Sequence, residues 1–238
     1  MGINPVTLIL LSLNEIDGVR EIVPKIPTGC VNEILAVDGG STDGTLEFFA
    51  EQGIRTLIQQ KRGRGEAMRI GVRQAQNPWV VFFSPDGNEN PEDIPRIVQG
   101  LVEGYDMVVA SRFMLGAQSE DDNKNSFMNR RWGNLVLTKL TNLLWSHPAL
   151  TTDALNGFRG INRQVFETLE LDAEGFTIEL QMTLRARQKN LKVLEIPTIE
   201  SDRIGRGVSK VRAVPVGLEC LKLICKEKWR RFNDRREE

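Results

Sequence analysis

The chain alternates short apolar runs with amphipathic stretches. "VTLILLSL" (6–13) is an unbroken apolar run of strand length, and "EILAVDGG" (33–40) is a second that stops at Asp38 and two glycines. "TLIQQ" (56–60) is weaker, while "WVVFFSPD" (79–86) and "DMVVASRF" (106–113) are strong. Continuous apolar runs, rather than alternating ones, suit strands covered on both faces. Between them the spacing predicts helices over 43–52, 65–76 and 91–103. Ser41 or Thr42 is placed to cap the first, and Ala67, Ile70 and Val72 share one side of the second. The third opens with Asn90 as cap, Pro91 at the first helical position and acids in the first turn. This alternation predicts an α/β fold over residues 1–113, a mostly parallel sheet with helices on both faces.

The second half is less regular. "MLGAQSEDDNKNSFM" (114–128) is polar, lacks a period and reads as a loop. A helix is expected over 129–145, a turn and short strand over 153–163, a helix over 176–188 and a strand over 191–200. "SDRIGRGVSK" (201–210) is a basic loop, and a last helix runs from about 214 to 232. On that helix Leu218, Leu221, Cys225, Trp229 and Phe232 recur at spacings of three and four and form one stripe. From Lys222 to Arg236 there are seven Lys/Arg against two Asp/Glu. Two readings follow: an interfacial helix lying on anionic lipid, or a stripe packed on the rest of the chain with a solvated basic tail.

Composition narrows the function classes. The 238 residues carry a net charge of −1, so no global field recruits nucleic acid, and none is expected as a partner. Cys30, Cys220 and Cys225 have no metal-ligand spacing and leave one unpaired, which points to a reducing compartment. The N-terminus lacks the basic segment of a signal peptide, and no run approaches the roughly 18 apolar residues of a spanning helix. The expected location is cytoplasmic, with peripheral attachment to the cytoplasmic face of a membrane as the variant.

In open parallel sheets ligands bind beyond the carboxyl ends of the strands. That rule selects Ser12, Asn14 and Glu15, then Asp38, then Asp86 to Asn90, then Ser111 and Arg112, although strand ends are polar in any case. "VDGGSTDGT" (37–45) has no G-x-G-x-x-G and is not a dinucleotide fingerprint. Asp38 can instead accept hydrogen bonds from a base or ribose, and Asp43 reads as a structural group. "KRGRGEAMRIG" (61–71) joins basic side chains to glycines ahead of a helix, suiting either a phosphate or base edge or merely a solvated turn.

"LSLNE", "VDGGSTDGT", "RGRGEAMRIG", "SPDGNENP", "ASRF", "NGFRG" and "RIGRGVSK" occur in the order found in family 2 glycosyltransferases of GT-A fold. The chain most resembles the dolichyl- and polyprenyl-phosphate hexosyltransferase branch, over about residues 5–212. The resemblance implies a GT-A domain at 1–212, with a nucleotide-sugar half (1–113) and an acceptor half (114–212), followed by a basic amphipathic helix at 213–238. It implies that Leu11, Ser12, Leu13, Asn14 and Glu15 line the nucleotide pocket, that Asp38 meets the base, and that Arg64 and Gly65 close over the nucleotide. The family's D-x-D falls on Asp86, Gly87 and Asn88, whose role would be to hold Mg²⁺ or Mn²⁺ against the donor diphosphate.

Here the second Asp is Asn88, which supplies an oxygen but no charge. Asp86, Asn88 and Asn90 are the candidate ligands, and a metal-independent site with arginines in place of the cation is the alternative. Arg112, Arg130, Arg131, Arg203, Arg206 and Lys210 match basic positions that would meet acceptor phosphate and donor diphosphate. Asp86, Arg112 and Lys210 are the expected catalytic groups, while Asp153, Asn156 and Gly157 would shape the sugar pocket. His147 reads as a structural loop residue. The implied reaction is inverting transfer of a hexose from a nucleotide sugar to a polyprenyl-phosphate-type lipid, with peripheral membrane contact, a membrane partner protein or a second copy of the chain as companions. A soluble or polysaccharide acceptor, and a nucleotide-sugar binding protein without catalysis, are the competing readings.

Overall fold

In a computed structural model the structure describes residues 5–119, 125–145, 150–205 and 213–237, and side chains within 5–118, 131–145, 150–205 and 214–232. A seven-stranded sheet contains β1 (Val6–Ser12), β2 (Glu33–Asp38), β3 (Arg55–Ile58), β4 (Trp79–Phe83), β5 (Met107–Ser111), β7 (Arg159–Asn162) and β8 (Val193–Pro197). Their order is β3-β2-β1-β4-β7-β5-β8. Neighbours are parallel except β7, which runs antiparallel to both β4 and β5. A small second sheet pairs β6 (Gln118–Ser119) with β9 (Ile199–Glu200) in parallel.

The helices are α1 (Ile16–Ile22), α2 (Thr45–Glu51), α3 (Arg64–Gln74), α4 (Ile94–Val102), α5 (Asn125–Leu144), α6 (Arg163–Thr168), α7 (Ile178–Gln188) and α8 (Ala213–Glu237). Every residue of β1 is buried, as its unbroken apolar run requires. Leu8 and Leu10 join Phe83, Val19 of α1 and Ile97 of α4 on one face. Ile9 and Leu11 join Phe82, Met68 of α3 and Met182 of α7 on the other. A third cluster unites Leu137 of α5, Leu180 and Leu184 of α7, and Cys220, Leu223 and Ile224 of α8.

β7 lies between the strongest strands despite its Arg-Gly sequence. A Cβ on Gly160 would come 2.5 Å from Ile97 Cγ2, so α4 sits directly on the strand. Arg159 is fully buried. Its Nε donates to the Asn156 carbonyl at 2.8 Å, and its Nη1 to the Glu179 carbonyl at 3.1 Å and Thr183 Oγ1 at 3.2 Å. Burial lowers its pKa to about 10, with Glu179 and Asp153 opposing that shift.

One element was missed and two expectations are corrected. The pattern did not reveal α1, which is seven residues long and contains Gly18. A Cβ there would sit 2.5 Å from the Pro85 carbonyl oxygen, so the helix rests on the loop after β4. The segment 114–128, read as a loop, contains β6 and the start of α5. The stripe on α8 is not a packing face: Leu218, Leu221, Cys225, Trp229 and Phe232 are all exposed, whereas Cys220, Leu223, Ile224 and Glu227 are buried. Glu227 holds α8 to α7, accepting from Arg185 Nη2 at 2.6 Å and Gln181 Nε2 at 2.9 Å. Among the described residues no helix is long and apolar enough to cross a membrane.

Candidate functional site

The first two rim loops are bonded to each other. The Asn14 N–H donates to Ser41 Oγ at 2.7 Å, and the Thr42 N–H donates back to Asn14 Oδ1 at 2.9 Å. Asn14 adopts a left-handed φ of 50°, a conformation its short polar side chain tolerates. Asp43 accepts from the Ile16 N–H at 3.0 Å and from Thr45 Oγ1 at 2.6 Å, which gives it the structural role expected of it. Asp38 is 0% exposed. One of its oxygens accepts from the Gly40 and Ser41 N–H groups, and the other from the Ser12 and Ser41 hydroxyls, all within 2.6–2.8 Å. Its visible work is to set the turn, while its neighbours Val37 and Gly39 reach the cavity wall.

That cavity, about 290 Å³, is lined by Leu11, Ser12, Leu13 and Glu15 from the first loop, by Arg62, Gly63 and Arg64, and by Asp86 and Arg203. Gly65 stands behind it. The Gly65 N–H donates to the Glu174 carbonyl at 2.9 Å, and its Cβ-less face lies against the Ala173 carbonyl. A second cavity of about 170 Å³ shares Arg64, Ser84, Asp86, Phe176 and Arg203 with the first. The two therefore adjoin at Asp86.

The loop after β4 is built to present that carboxylate. Asp86 is 4% exposed; its Oδ1 accepts from the Asn88 N–H at 3.1 Å and its Oδ2 pairs with Arg203 Nη2 at 3.0 Å. Gly87 has φ 89°, and a Cβ would come 2.5 Å from the Ile204 side chain, so the turn excludes other residues on two counts. Asn88 Nδ2 donates to the Ser201 carbonyl at 2.7 Å, and the Ser201 N–H donates to the Asn88 carbonyl at 3.1 Å. The 84–90 and 201–205 segments are thus zipped together. Asn90 Oδ1 accepts from the Glu92 N–H at 3.1 Å and caps the turn at 91–93, the capping role its sequence predicts.

The second cavity is lined on one side by Glu89, Arg112, Glu179 and Glu200, and on the other by Gly133 and Leu137 of α5 and Val216 and Cys220 of α8. Arg64 Nε donates to Glu179 Oε1, and Arg64 Nη1 to Ser84 Oγ at 3.2 Å. Burial opposes the Arg64 charge, but Glu179 and then Glu89 raise its pKa above the ordinary value. Arg112 makes a two-pronged pair with Asp153, at 2.7 and 2.9 Å, with Glu200 at 3.8 Å, and stacks on Phe113. Its pKa is likewise raised, by Asp153 foremost, against the penalty of burial. Glu89 is buried and accepts from the Ser84 N–H at 2.7 Å. Burial pushes its carboxyl up to about 8; Arg64 opposes this, and Asp86 and Glu200 add to it.

The structure thus gathers Leu11, Ser12, Leu13, Glu15, Arg64, Asp86, Asn88, Arg112, Asn156, Gly157 and Arg203 around two joined cavities. Arg131 lies beside this group, its guanidinium 5.9 Å from the Phe113 ring centre. Lys210, Arg206, His147 and the Arg130 side chain lie outside the described residues. The sequence reading gave no role to Glu179 or Glu200, and took Glu89 only within the rim span Asp86 to Asn90. Glu89 was visible inside the quoted loop, whereas Glu179 and Glu200 belong to elements that look structural until the chain is folded. As for a metal, Asp86 offers one charged oxygen. The Asn88 side-chain nitrogen is committed to Ser201, which leaves its side-chain oxygen Oδ1 as a second metal donor. Asn90's oxygen already serves as a cap. Among the described residues no three His, Cys, Asp or Glu side chains are grouped to hold a metal. Two hard oxygens on one turn fit Mg²⁺ or Mn²⁺ when a diphosphate and water complete the shell.

Residues 9–170 match the family described as glycosyl transferase family 2. Glycosyltransferase AglJ of Haloferax volcanii is 29% identical over 196 residues, covering 81% of this chain, which spans 62% of that relative's length. Polyprenol monophosphomannose synthase of Mycolicibacterium smegmatis is 29% identical over 224 residues, covering 86% of this chain and 80% of the relative. Among solved structures, glucosyl-3-phosphoglycerate synthase from Mycobacterium tuberculosis in complex with Mn²⁺, UDP and phosphoglyceric acid superposes with a TM-score of 0.74 at 19% identity. That match covers 94% of this chain and 78% of the other. With the match spanning most of the sheet and both sides of the Asp86 loop, the chain belongs to glycosyl transferase family 2 and is a glycosyltransferase.

Proposed function

We propose that this glycosyltransferase moves a hexose, with inversion, from a GDP- or UDP-sugar to a polyprenyl-phosphate-type lipid. The observation that carries the reading is the pair of cavities meeting at Asp86 and Arg203, one framed by the first two rim loops and the other by α5 and α8. The nucleotide belongs in the first, its diphosphate at the junction and the hexose in the second. Arg203 and Arg64 stand where the leaving diphosphate gathers charge, and guanidinium forks suit it. Asp86 and Asn88 would hold Mg²⁺ or Mn²⁺, which when bound supplies further positive charge to the diphosphate. The relatives' names support the lipid phosphate, as do the exposed apolar residues on α5 and α8 beside the second cavity. A phosphate acceptor is already ionised and needs no strong base.

A soluble or other hydroxyl acceptor is the second reading, favoured by the carboxylates Glu89, Glu179 and Glu200 in the second cavity. A hydroxyl must give up its proton, and Asp86 or one of these would receive it. The test is thermal stabilisation by GDP-mannose, UDP-glucose and UDP-N-acetylglucosamine, each with Mn²⁺ and with EDTA, followed by transfer assays with polyprenyl phosphate and with 3-phosphoglycerate. A ligand of the native state raises the melting temperature by mass action. One donor should stabilise the protein with Mn²⁺ and more weakly in EDTA, and sugar should appear on the lipid. Transfer only to the soluble acceptor would replace the lipid reading, and binding without transfer to either would leave a binding protein.

A further inference from the structure

Gln59 stands one residue beyond the carboxyl end of β3, on the rim where open parallel sheets take their ligands. Its N–H donates to the Asp38 carbonyl at 2.8 Å, which fixes the backbone. The side chain is fixed as well: Nε2 donates to the Gly63 carbonyl at 2.8 Å and to the Lys61 carbonyl at 3.3 Å. Two carbonyls on one side settle which end of the carboxamide is nitrogen, so Oε1 faces the other way. That oxygen lies 3.5 Å from where a Cβ on Gly39 would stand, and the Leu13 side chain comes within 3.2 Å of the same point. Gln59, Gly39 and Leu13 all line the first cavity. Among the described residues Oε1 accepts no hydrogen bond, and it is not enclosed. It is an open acceptor on the cavity wall. Beside it Arg62 Nη2 donates to the Gly40 carbonyl at 3.3 Å, which sets a guanidinium next to the carboxamide on the same wall. Asp38 is unable to serve there, because it is 0% exposed and both its oxygens are taken by the turn.

We infer that Gln59 is a base-recognition residue whose Oε1 accepts a hydrogen bond from the ring N–H of a lactam base, the edge that uracil and guanine share. The inference rests on the donor reading above, which puts the nucleotide in the first cavity. A lactam edge offers an N–H beside a carbonyl oxygen, and the wall offers a carboxamide oxygen beside a guanidinium. Cytosine and adenine present the reverse: a bare ring nitrogen beside an amino group, which would set acceptor against acceptor at Gln59. A site built to bond a ligand N–H rejects the analogue that lacks it. Leu13 and the bare face of Gly39 leave apolar surface for the ring to lie on.

The experiment compares bases that carry the ring N–H with bases that lack it. Wild type and Q59A are titrated calorimetrically, with Mn²⁺, against UDP, CDP, GDP and ADP. Wild type should bind UDP more tightly than CDP, or GDP more tightly than ADP, by at least about tenfold. Q59A should weaken the preferred diphosphate by about 5–30-fold, as expected for loss of one hydrogen bond at a half-buried residue. Its amino-base counterpart should change by less than about threefold, so that the preference shrinks. Equal weakening of both would overturn the inference, because Gln59 would then act only by pinning the 61–63 loop. A preference unchanged in Q59A would overturn it too. So would a wild type that binds CDP or ADP as well as UDP and GDP, although the donor reading would then survive. Should Q59A fail to fold, Q59N withdraws the carboxamide by one methylene and is read the same way. Failure of the donor reading looks different: wild type would bind none of the four, and the inference would fall with it.

Discussion

At the scale of single residues, the candidate site depends on pairings across long stretches of chain. Gly157 is the sharpest case, because it is defined by what it lacks. Its backbone lies against the Arg64–Glu179 pair, whose members are 115 positions apart. Gly157→Ala should force the pair aside, at roughly 1–3 kcal/mol of overpacking. The expected outcome is a folded protein, modestly less stable by denaturant titration, whose transfer rate falls at least about tenfold. Wild-type transfer by that variant would show that the pair can shift without consequence. Asp86 and Asn88 could be picked out as candidates from sequence because they share one turn. Glu179 could not be, since an acid in a helix's first turn is ordinary and only the folded chain leaves one of its oxygens buried without a partner. Arg112 stood out in the sequence as a candidate and lines the second cavity, but its two-pronged bond to Asp153 was not legible.

At the scale of elements, legibility followed burial. β1, β2, β4 and β5 were plain because strands covered on both faces must be continuously apolar. β7 was read as a short strand, but its central antiparallel place was hidden, since its buried Arg159 is satisfied only by tertiary partners. α8 was legible as a helix, yet its inward face was not, because Glu227 docks as part of a polar network and not as part of an apolar stripe. That network reaches Asp172, which binds Lys226 Nζ at 2.5 Å and Arg185 Nη2 at 2.9 Å. Burial works against the Asp172 charge, but hydrogen bonds from Lys226 and Gln181 and the nearby Arg185 outweigh it and bring the pKa down to about 2. A carboxyl with a folded pKa below its unfolded value of about 3.9 stabilises the native state above that value. This stabilisation is lost as pH falls through about 2. Asp172 is half exposed, so the effect is small and screened by salt. In urea titrations at low salt, the stability gap between wild type and Asp172→Asn should be constant above about pH 5 and shrink toward pH 2. A gap independent of pH would mean that Asp172 does not tie α8 down through its charge.

At the scale of the whole molecule, the sheet carries the rim loops, and α5 and α8 enclose the second cavity while packing against each other. Their outward sides mix charged residues, such as Lys139, Lys222 and Lys228, with large apolar ones. Trp132, Val136 and Leu143 are exposed on α5, as are Val214, Leu218, Leu221, Trp229 and Phe232 on α8. Where exposed apolar side chains adjoin, they mark contact surfaces. The seven Lys/Arg between Lys222 and Arg236 are the charges an anionic surface would attract, which is why we propose membrane contact through this helix. A lipid-phosphate acceptor would deliver its phosphate to the second cavity from a membrane held against these helices. Two things follow for the intact protein. It should co-sediment with vesicles containing phosphatidylglycerol, and this binding should weaken as salt rises. Replacing Trp229 and Phe232 together by Ala should reduce partitioning at least about tenfold, since each side chain contributes roughly 1.5–3 kcal/mol when fully buried. The same double variant should keep its donor affinity, because neither side chain lines a described donor cavity. If vesicle binding at low salt is absent, or survives the double substitution unchanged, the apolar face serves another copy of the chain or a partner protein, and the acceptor reaches the second cavity from solution.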